Sequence, residues 1–299
     1  MKKYLLQIAL FFAIVAVVDF AAGKAFRYVQ ANKAGGRTGA EWYACRESNE
    51  DIIIMGSSRA LHHYVPQILS DSLGMSCFNA GQDGNGIILQ YGRWKMISER
   101  YAPRIIVYDV TPEFDLKKND NMIYVDRLKP FCDDREVKNY VADIFPIERW
   151  KLYSQMYRYN YKFLEMLSDC VKSKDDKQCG YIPLYGQIRK EVVEGASNAK
   201  VKPIEFDETK LQYLEFLAQE CQARNTRLVF VASPFFKRGS FNKESFSPIS
   251  DLAAKYGLPF YYFNDSEFTD GPNLFKDSYH LNDEGAKTFT AELVHRIAS

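Results

Sequence analysis

Two short motifs near opposite ends of the sequence, Ile52-Ile53-Ile54-Met55-Gly56-Ser57-Ser58-Arg59 and Asp277-Ser278-Tyr279-His280-Leu281-Asn282, together hold a serine, an imidazole and a carboxylate. An apolar run broken by Gly-Ser-Ser has the pattern of a buried strand that turns sharply and leaves a hydroxyl at its carboxyl end. Ser58 is that hydroxyl. A serine alcohol is a weak nucleophile at neutral pH, so it needs an imidazole to take its proton and a carboxylate to fix the tautomer of that imidazole. His280 and Asp277 offer both within one turn of chain. A surface serine and a helix-capping Asp/His pair is the plain alternative. The order of the motifs favours catalysis, because each follows an expected strand and the second precedes a C-terminal helix. Of the other histidines, His62 and His63 follow Ser58 on the next helix, poorly placed to swing back as a base, and His295 lies in the last turn of an expected helix, where a cation offsets the dipole.

Acyl chemistry also needs donors aimed at the tetrahedral oxyanion, where charge builds in the transition state. The turn Asn79-Ala80-Gly81-Gln82-Asp83-Gly84-Asn85-Gly86 supplies a glycine amide free to approach closely, and Gly84 is the expected donor, with the amide of Ser58 as its partner.

The elements that must position these groups alternate. Strands are expected over 51–55, 76–79, 104–109, 227–232 and 260–263, with helices over 64–73, 86–101, 208–224, 248–256 and 286–297. Strands separated by helices of this length pair in parallel with helices on both faces, and ligands then bind beyond the carboxyl ends of the strands. The alternation breaks at Pro112. From about 113 to 205 the chain reads as a helical, aromatic-rich insertion. Within it, Tyr181 and Tyr185 sit on a turn-rich loop and are substrate-contact candidates, whereas most of its aromatics have the helical spacing that packing needs. Arg59 either binds an anionic substrate group or pairs with a neighbouring carboxylate as a helix-start arginine.

At 299 residues with 46% hydrophobic content the chain can bury a substantial core, and a net charge of +1 argues against nucleic acid as a partner. Tyr4 to Gly23 is apolar and follows Lys2 and Lys3, the charge order that keeps the amino terminus in the cytoplasm and exports the rest. Residues 1–24 therefore read as a membrane anchor or a signal segment. The uncleaved anchor is favoured, since no clean small-x-small site follows the apolar run. Residues 25–50 read as a polar linker and 51–299 as the chemical domain, single-pass anchored and extracytoplasmic. The six cysteines suit an oxidising compartment, and Cys170 and Cys179 flank a polar loop that a disulfide could close. No His/Cys cluster has zinc spacing, so neither a metal nor another cofactor is expected.

Gly56-Ser57-Ser58, Asn79-x-Gly81-x-x-Gly84 and Asp277-x-x-His280-Leu281-Asn282 resemble the first, second and fifth blocks of the SGNH/GDSL hydrolase superfamily, over about 51–299. The resemblance implies a flavodoxin-like three-layer sandwich with a central parallel sheet, an acyl-serine at Ser58, His280 as base and Asp277 as its orienting carboxylate. The Gly-Ser-Ser-Arg form and the anchor look most like the envelope branch, which includes the D-alanyl-transfer protein of teichoic acid systems and exopolysaccharide O-acetylation proteins. One departure stands out. The family's third block carries an asparagine that completes the oxyanion hole, and here that strand ends Tyr108-Asp109-Val110-Thr111-Pro112. A two-donor hole helped by Asn85 is the expectation. The sequence thus points to a serine acyl-esterase or O-acyltransferase acting on a cell-envelope polysaccharide, with a membrane acyltransferase as a possible partner. The rival is a non-catalytic protein of the same fold that binds a glycan or a partner.

Overall fold

Five apolar runs form β1 (Ile52–Gly56), β2 (Cys77–Asn79), β3 (Ile105–Asp109), β4 (Arg227–Ala232) and β5 (Phe260–Tyr262). They pair in parallel in the order β2-β1-β3-β4-β5. A parallel sheet is covered on both faces, which is why β1, β3 and β4 read as nearly unbroken runs of Ile, Val, Leu and Phe. On one face Ile52, Ile54, Val107, Val229 and Val231 pack with Ala60, Tyr64 and Leu69 of the helices Ser58–His63 and Pro66–Leu73, and with Phe289 and Leu293 of the helix Asp283–Ala298. The alternate residues Ile53, Met55, Ile106, Tyr108, Leu228 and Phe230 point the other way and are equally buried. The helices Ile87–Ser98 and Glu208–Ala223 pack against each other, and they contact β1 and β4 respectively. The expected three-layer α/β architecture is what forms.

This computed structural model describes residues 1–174, 176–196, 203–236, 241–264 and 271–298. The chain divides into two units: Ala44–Asn121 with Asp176–Ser299, which holds the sheet, and Met1–Tyr43 with Met122–Asp175, which is helical. The stretch expected as one insertion is therefore shared, its middle grouping with the amino-terminal helix and its two ends staying with the sheet.

In the helical unit, Lys2–Asn32 is one helix whose best 18-residue window has a mean hydropathy of 2.4, long and apolar enough to cross a membrane. Its side chains from Tyr4 to Phe20 are largely exposed. Asp19 accepts the Ser154 hydroxyl at 2.7 Å and the amides of Gln155 and Met156 at 2.7 and 2.9 Å, so it caps the helix Gln155–Tyr159. Gly23 is required at the same contact, since a Cβ there would lie 2.2 Å from that of Gln155.

The expected polar linker over 25–50 is instead mostly helical. Lys2–Asn32 runs on through it and a second helix covers Gly36–Arg46. The reason is partners that linear sequence does not reveal: the Thr38 amide donates to Asp169 at 2.9 Å, and buried Glu41 pairs with Arg127 and Lys162. All six cysteines are free thiols, so the disulfide considered between Cys170 and Cys179 is not formed; the Cys170 thiol bonds back to the Met166 carbonyl of its own helix.

Candidate active site

The turn after β1 is set by Gly56. Its φ of 138° and the carbonyl of Asp109, 2.5 Å from where a Cβ would stand, exclude any side chain. β1 and β3 are in register there, Gly56 opposite Asp109, so the ends of the two central strands lie side by side. Ser57 then bonds the Thr111 hydroxyl at 2.7 Å, and Ser58 opens the short helix that carries Arg59, His62 and His63.

The Ser58 hydroxyl lies 2.8 Å from Nε2 of His280, and Nδ1 of His280 lies 3.0 Å from the Asp277 carboxylate. Nδ1 donates to the carboxylate, which leaves Nε2 as the acceptor for the serine proton. Asp277 is tied into its own loop by the amides of Tyr279 and His280 at 2.8 and 2.9 Å, and this local clamp explains the Asp-x-x-His spacing. Partial burial pushes the Asp277 carboxyl up, but the His280 hydrogen bond and charge and these two amides outweigh it and hold the group below 3.8. Three residues expected from the sequence are thus brought together across 222 positions of chain.

Several neighbours were not anticipated. Buried His63 accepts the Leu281 amide on Nε2 at 3.0 Å, so its proton sits on Nδ1 and is donated to the Ser233 hydroxyl at 2.9 Å. Burial, with the charges of His280, Arg59 and His62, drives its pKa well below 6.5 and keeps it neutral. The Ser233 hydroxyl donates in turn to Asp109, which also receives the Tyr64 hydroxyl at 2.5 Å and the Arg59 guanidinium at 3.3 Å. Burial raises the Asp109 pKa, against the opposing pull of Arg59 and these donors. His62 faces oxygen on both sides, the Ile182 carbonyl at 2.7 Å and the Asp83 carboxylate at 2.9 Å, and its ring meets that of His280 edge-on with centroids 5.7 Å apart. The signal in the sequence was the His62-His63 pair one turn after Ser58, which places both rings on the helix that Ser58 opens.

Asn79 explains the second motif. Its side chain donates to the carbonyls of Ala60 and Tyr64 and accepts from Gly81, fastening the turn to the helix that Ser58 opens. Gly84 takes a φ of 66°, and its amide and that of Ser58 make no hydrogen bond among the described residues.

Four residues singled out from the sequence settle elsewhere or keep only part of their assignment. Asn85 keeps part of its assignment: its backbone amide donates to the Gln82 carbonyl and one side-chain N–H to the Asp83 carbonyl, leaving its second side-chain N–H without a bond among the described residues. Arg59 is 3% exposed and bonds the Ser233 and Val110 carbonyls besides Asp109, so it braces strand ends and does not face a ligand. Tyr181 is also buried, its hydroxyl on Asp283 at 3.0 Å. Tyr185 is exposed, on a loop tied to the His280 segment by Leu184–Asp283 and Gly186–Asn282 hydrogen bonds. Of the third-strand residues, Asp109 points to Arg59 and Thr111 is held by Ser57 and Asp115. Burial lifts the Asp115 carboxyl to about 6 even though Tyr108 and the amides of Thr111 and Ile87 bond it.

No protein-family model and no curated protein sequence matches this chain. Among solved structures it resembles the acetyl xylan esterase AlAXEase, with a TM-score of 0.40 and 12% identity over 83% of this chain and 98% of the other. BF3764 of Bacteroides fragilis NCTC 9343, a candidate acylhydrolase, gives 0.39 and 11% over 85% and 91%. The diltiazem-metabolizing gut microbial enzyme BT4096 gives 0.39 and 12% over 82% of this chain and 46% of its own. Likeness this distant carries no activity with it, and the chemistry of the site has to speak for itself.

Proposed function

We infer that this protein is a membrane-anchored serine acyl-esterase or O-acyltransferase, of SGNH type, working outside the cytoplasm on an acyl ester of a cell-envelope polysaccharide. The observation that carries the reading is the Ser58–His280–Asp277 chain, with hydrogen bonds of 2.8 and 3.0 Å. Ser58 Oγ attacks the acyl carbonyl as Nε2 of His280 takes its proton. The tetrahedral oxyanion is received by the amides of Ser58 and Gly84, and the protonated His280, held by Asp277, returns the proton to the leaving alkoxide. Water or a sugar hydroxyl then resolves the acyl-serine by the same route in reverse. In the transfer version, a membrane acyltransferase is the natural source of the acyl group. The apolar helix after Lys2 and Lys3 supports the anchor and the outward orientation.

The commitments of Asp109 and Thr111 favour one other reading, a glycan-binding protein without turnover, because they leave no third-strand side chain to complete the oxyanion hole. One experiment separates the two. The full chain in detergent is assayed on p-nitrophenyl acetate and labelled with a fluorophosphonate, with Ser58→Ala alongside. A label on Ser58, and hydrolysis lost in the variant, establish the nucleophile. Equal low rates and no label would sink the acyl reading.

A further inference from the structure

The helical unit holds a cavity of about 370 Å³ at the point where the apolar amino-terminal helix becomes charged. Phe20 and Gly23 form one wall, and the lining carries five cations, Lys24, Arg27, Arg135, Lys138 and Arg158, against the single carboxylate Asp133. Arg27 pairs with Asp133 and Arg158 is 7% exposed, bonded to the Leu152 carbonyl at 2.7 Å, so a surplus of positive charge is built into the walls.

Beside it lies an apolar shelf. Ile147, Trp150, Tyr153 and Met156 are 57%, 71%, 64% and 47% exposed. Tyr153 adjoins the cavity wall, the Lys138 ammonium sitting 3.7 Å from the centre of its ring, and the Trp150 ring lies next to it with centroids 6.3 Å apart. The Met156 amide bonds Asp19, which fixes the level of the shelf along the apolar helix. A helix of about 20 apolar residues spans a hydrocarbon core roughly 30 Å thick, and Trp and Tyr concentrate where that core meets the headgroups. Asp19 to Lys24 is at that level when the apolar run starts at Tyr4. Cations placed there meet phosphates.

We propose that this cavity binds the phosphate headgroup of an anionic phospholipid, while Ile147, Trp150, Tyr153 and Met156 seat the helical unit in the outer interface of the bilayer. The proposal rests on the reading of the amino-terminal helix as an uncleaved anchor. It adds a lipid-specific seat to a bare tether.

The test uses the full chain. Native mass spectrometry in detergent compares phosphatidylglycerol with phosphatidylcholine, for the wild type and for Lys24→Gln/Arg135→Gln/Lys138→Gln, with circular dichroism melting to confirm that the variant folds and Arg135→Gln alone as the milder change. In nanodiscs, brominated phosphatidylcholine reports whether Trp150 lies in the bilayer, with Trp150→Phe as control. The expected result is a preference for phosphatidylglycerol of about tenfold or more, lost in the triple variant, and quenching that Trp150→Phe removes. Equal binding of the two lipids, or an unquenched Trp150, overturns the proposal. If excess inorganic phosphate displaces phosphatidylglycerol completely, the cavity takes free oxyanions and the lipid assignment is overturned. Intact mass reads the anchor separately: a full-length chain without lipid preference refutes the cavity alone, whereas a chain shortened near Gly23 refutes the anchor and the cavity with it.

Discussion

Nε2 of His63 accepts the backbone amide of Leu281, the residue after His280, at 3.0 Å. The helix that begins with Ser58 therefore also grips the loop that carries His280, through a neutral imidazole whose other nitrogen is held by Ser233. The distance between Ser58 and His280 is fixed by a neighbour of each.

That grip should be visible in the pH dependence of stability. His63 is buried with a pKa well below 6.5, so the unfolded chain takes up a proton below pH 6.5 that the folded chain refuses. Its contribution is fully present above pH 6.5 and is lost as the pH falls below it. Denaturant titrations of wild type and His63→Gln should show the wild type's relative stability declining from pH 7 to 5. The comparison at each pH cancels Asp115, whose raised carboxyl acts oppositely, losing stability as the pH rises through about 6. A constant difference between the two proteins would refute the neutral-imidazole clamp.

Asp277→Asn should lower kcat for p-nitrophenyl acetate by about 10² to 10⁴ while leaving KM and the melting temperature near wild type, because the amide cannot hold the tautomer that leaves Nε2 free. Steady-state kinetics at pH 7 check this. An unchanged kcat would remove Asp277 from the mechanism.

Arg59→Met should act on stability and not on substrate affinity. It strands Asp109 as a buried, unpaired carboxylate beside Tyr64. The expected loss is about 3 to 5 kcal/mol, or roughly 10 °C in melting temperature. Adding Asp109→Leu should recover part of it. A raised KM with unchanged melting would return Arg59 to the substrate site.

Gly56→Ala should cost stability and activity together. Its Cβ would meet the Asp109 carbonyl at 2.5 Å and impose a φ of 138° on a residue that avoids it. A backbone shift of 1 Å at Ser58 corresponds to about 10² in rate. Thermal melts and kcat/KM should fall in parallel.

Tyr181→Phe should lose about 1 kcal/mol with the hydrogen bond to Asp283 and keep kcat/KM, whereas Tyr185→Ala should raise KM severalfold at unchanged stability. The opposite pairing of effects would exchange their roles.

The sheet was legible in the sequence because a strand buried on both faces must be apolar throughout, and Ile52 to Met55, Ile105 to Tyr108 and Leu228 to Ala232 are. That Ser58, His280 and Asp277 come together was legible because few residue types suit such a relay, and Asp277 bonds to its own loop, a local pattern. The substrate-contact reading of Tyr181, and the choice between a ligand and a carboxylate for Arg59, were not decided by the sequence, for the converse reason. Their burial depends on Asp109, fifty positions away, and on Asp283, a hundred and two away, and nothing local distinguishes a buried arginine or tyrosine from one awaiting a ligand. The supposed linker was missed because Thr38 and Glu41 look solvated until Asp169, Arg127 and Lys162 arrive from another part of the chain.

The strand order β2-β1-β3-β4-β5 places β1, which leads into Ser58, inside the sheet, yet β4 and β5 on the sheet's far side come only after residue 226, and His280 comes later still. During synthesis Ser58 thus emerges early and stays without His280 and Asp277 until almost the whole chain has followed. The hydrogen-bonded set is withheld by the order of manufacture, so a truncated or stalled product carries an ordinary serine.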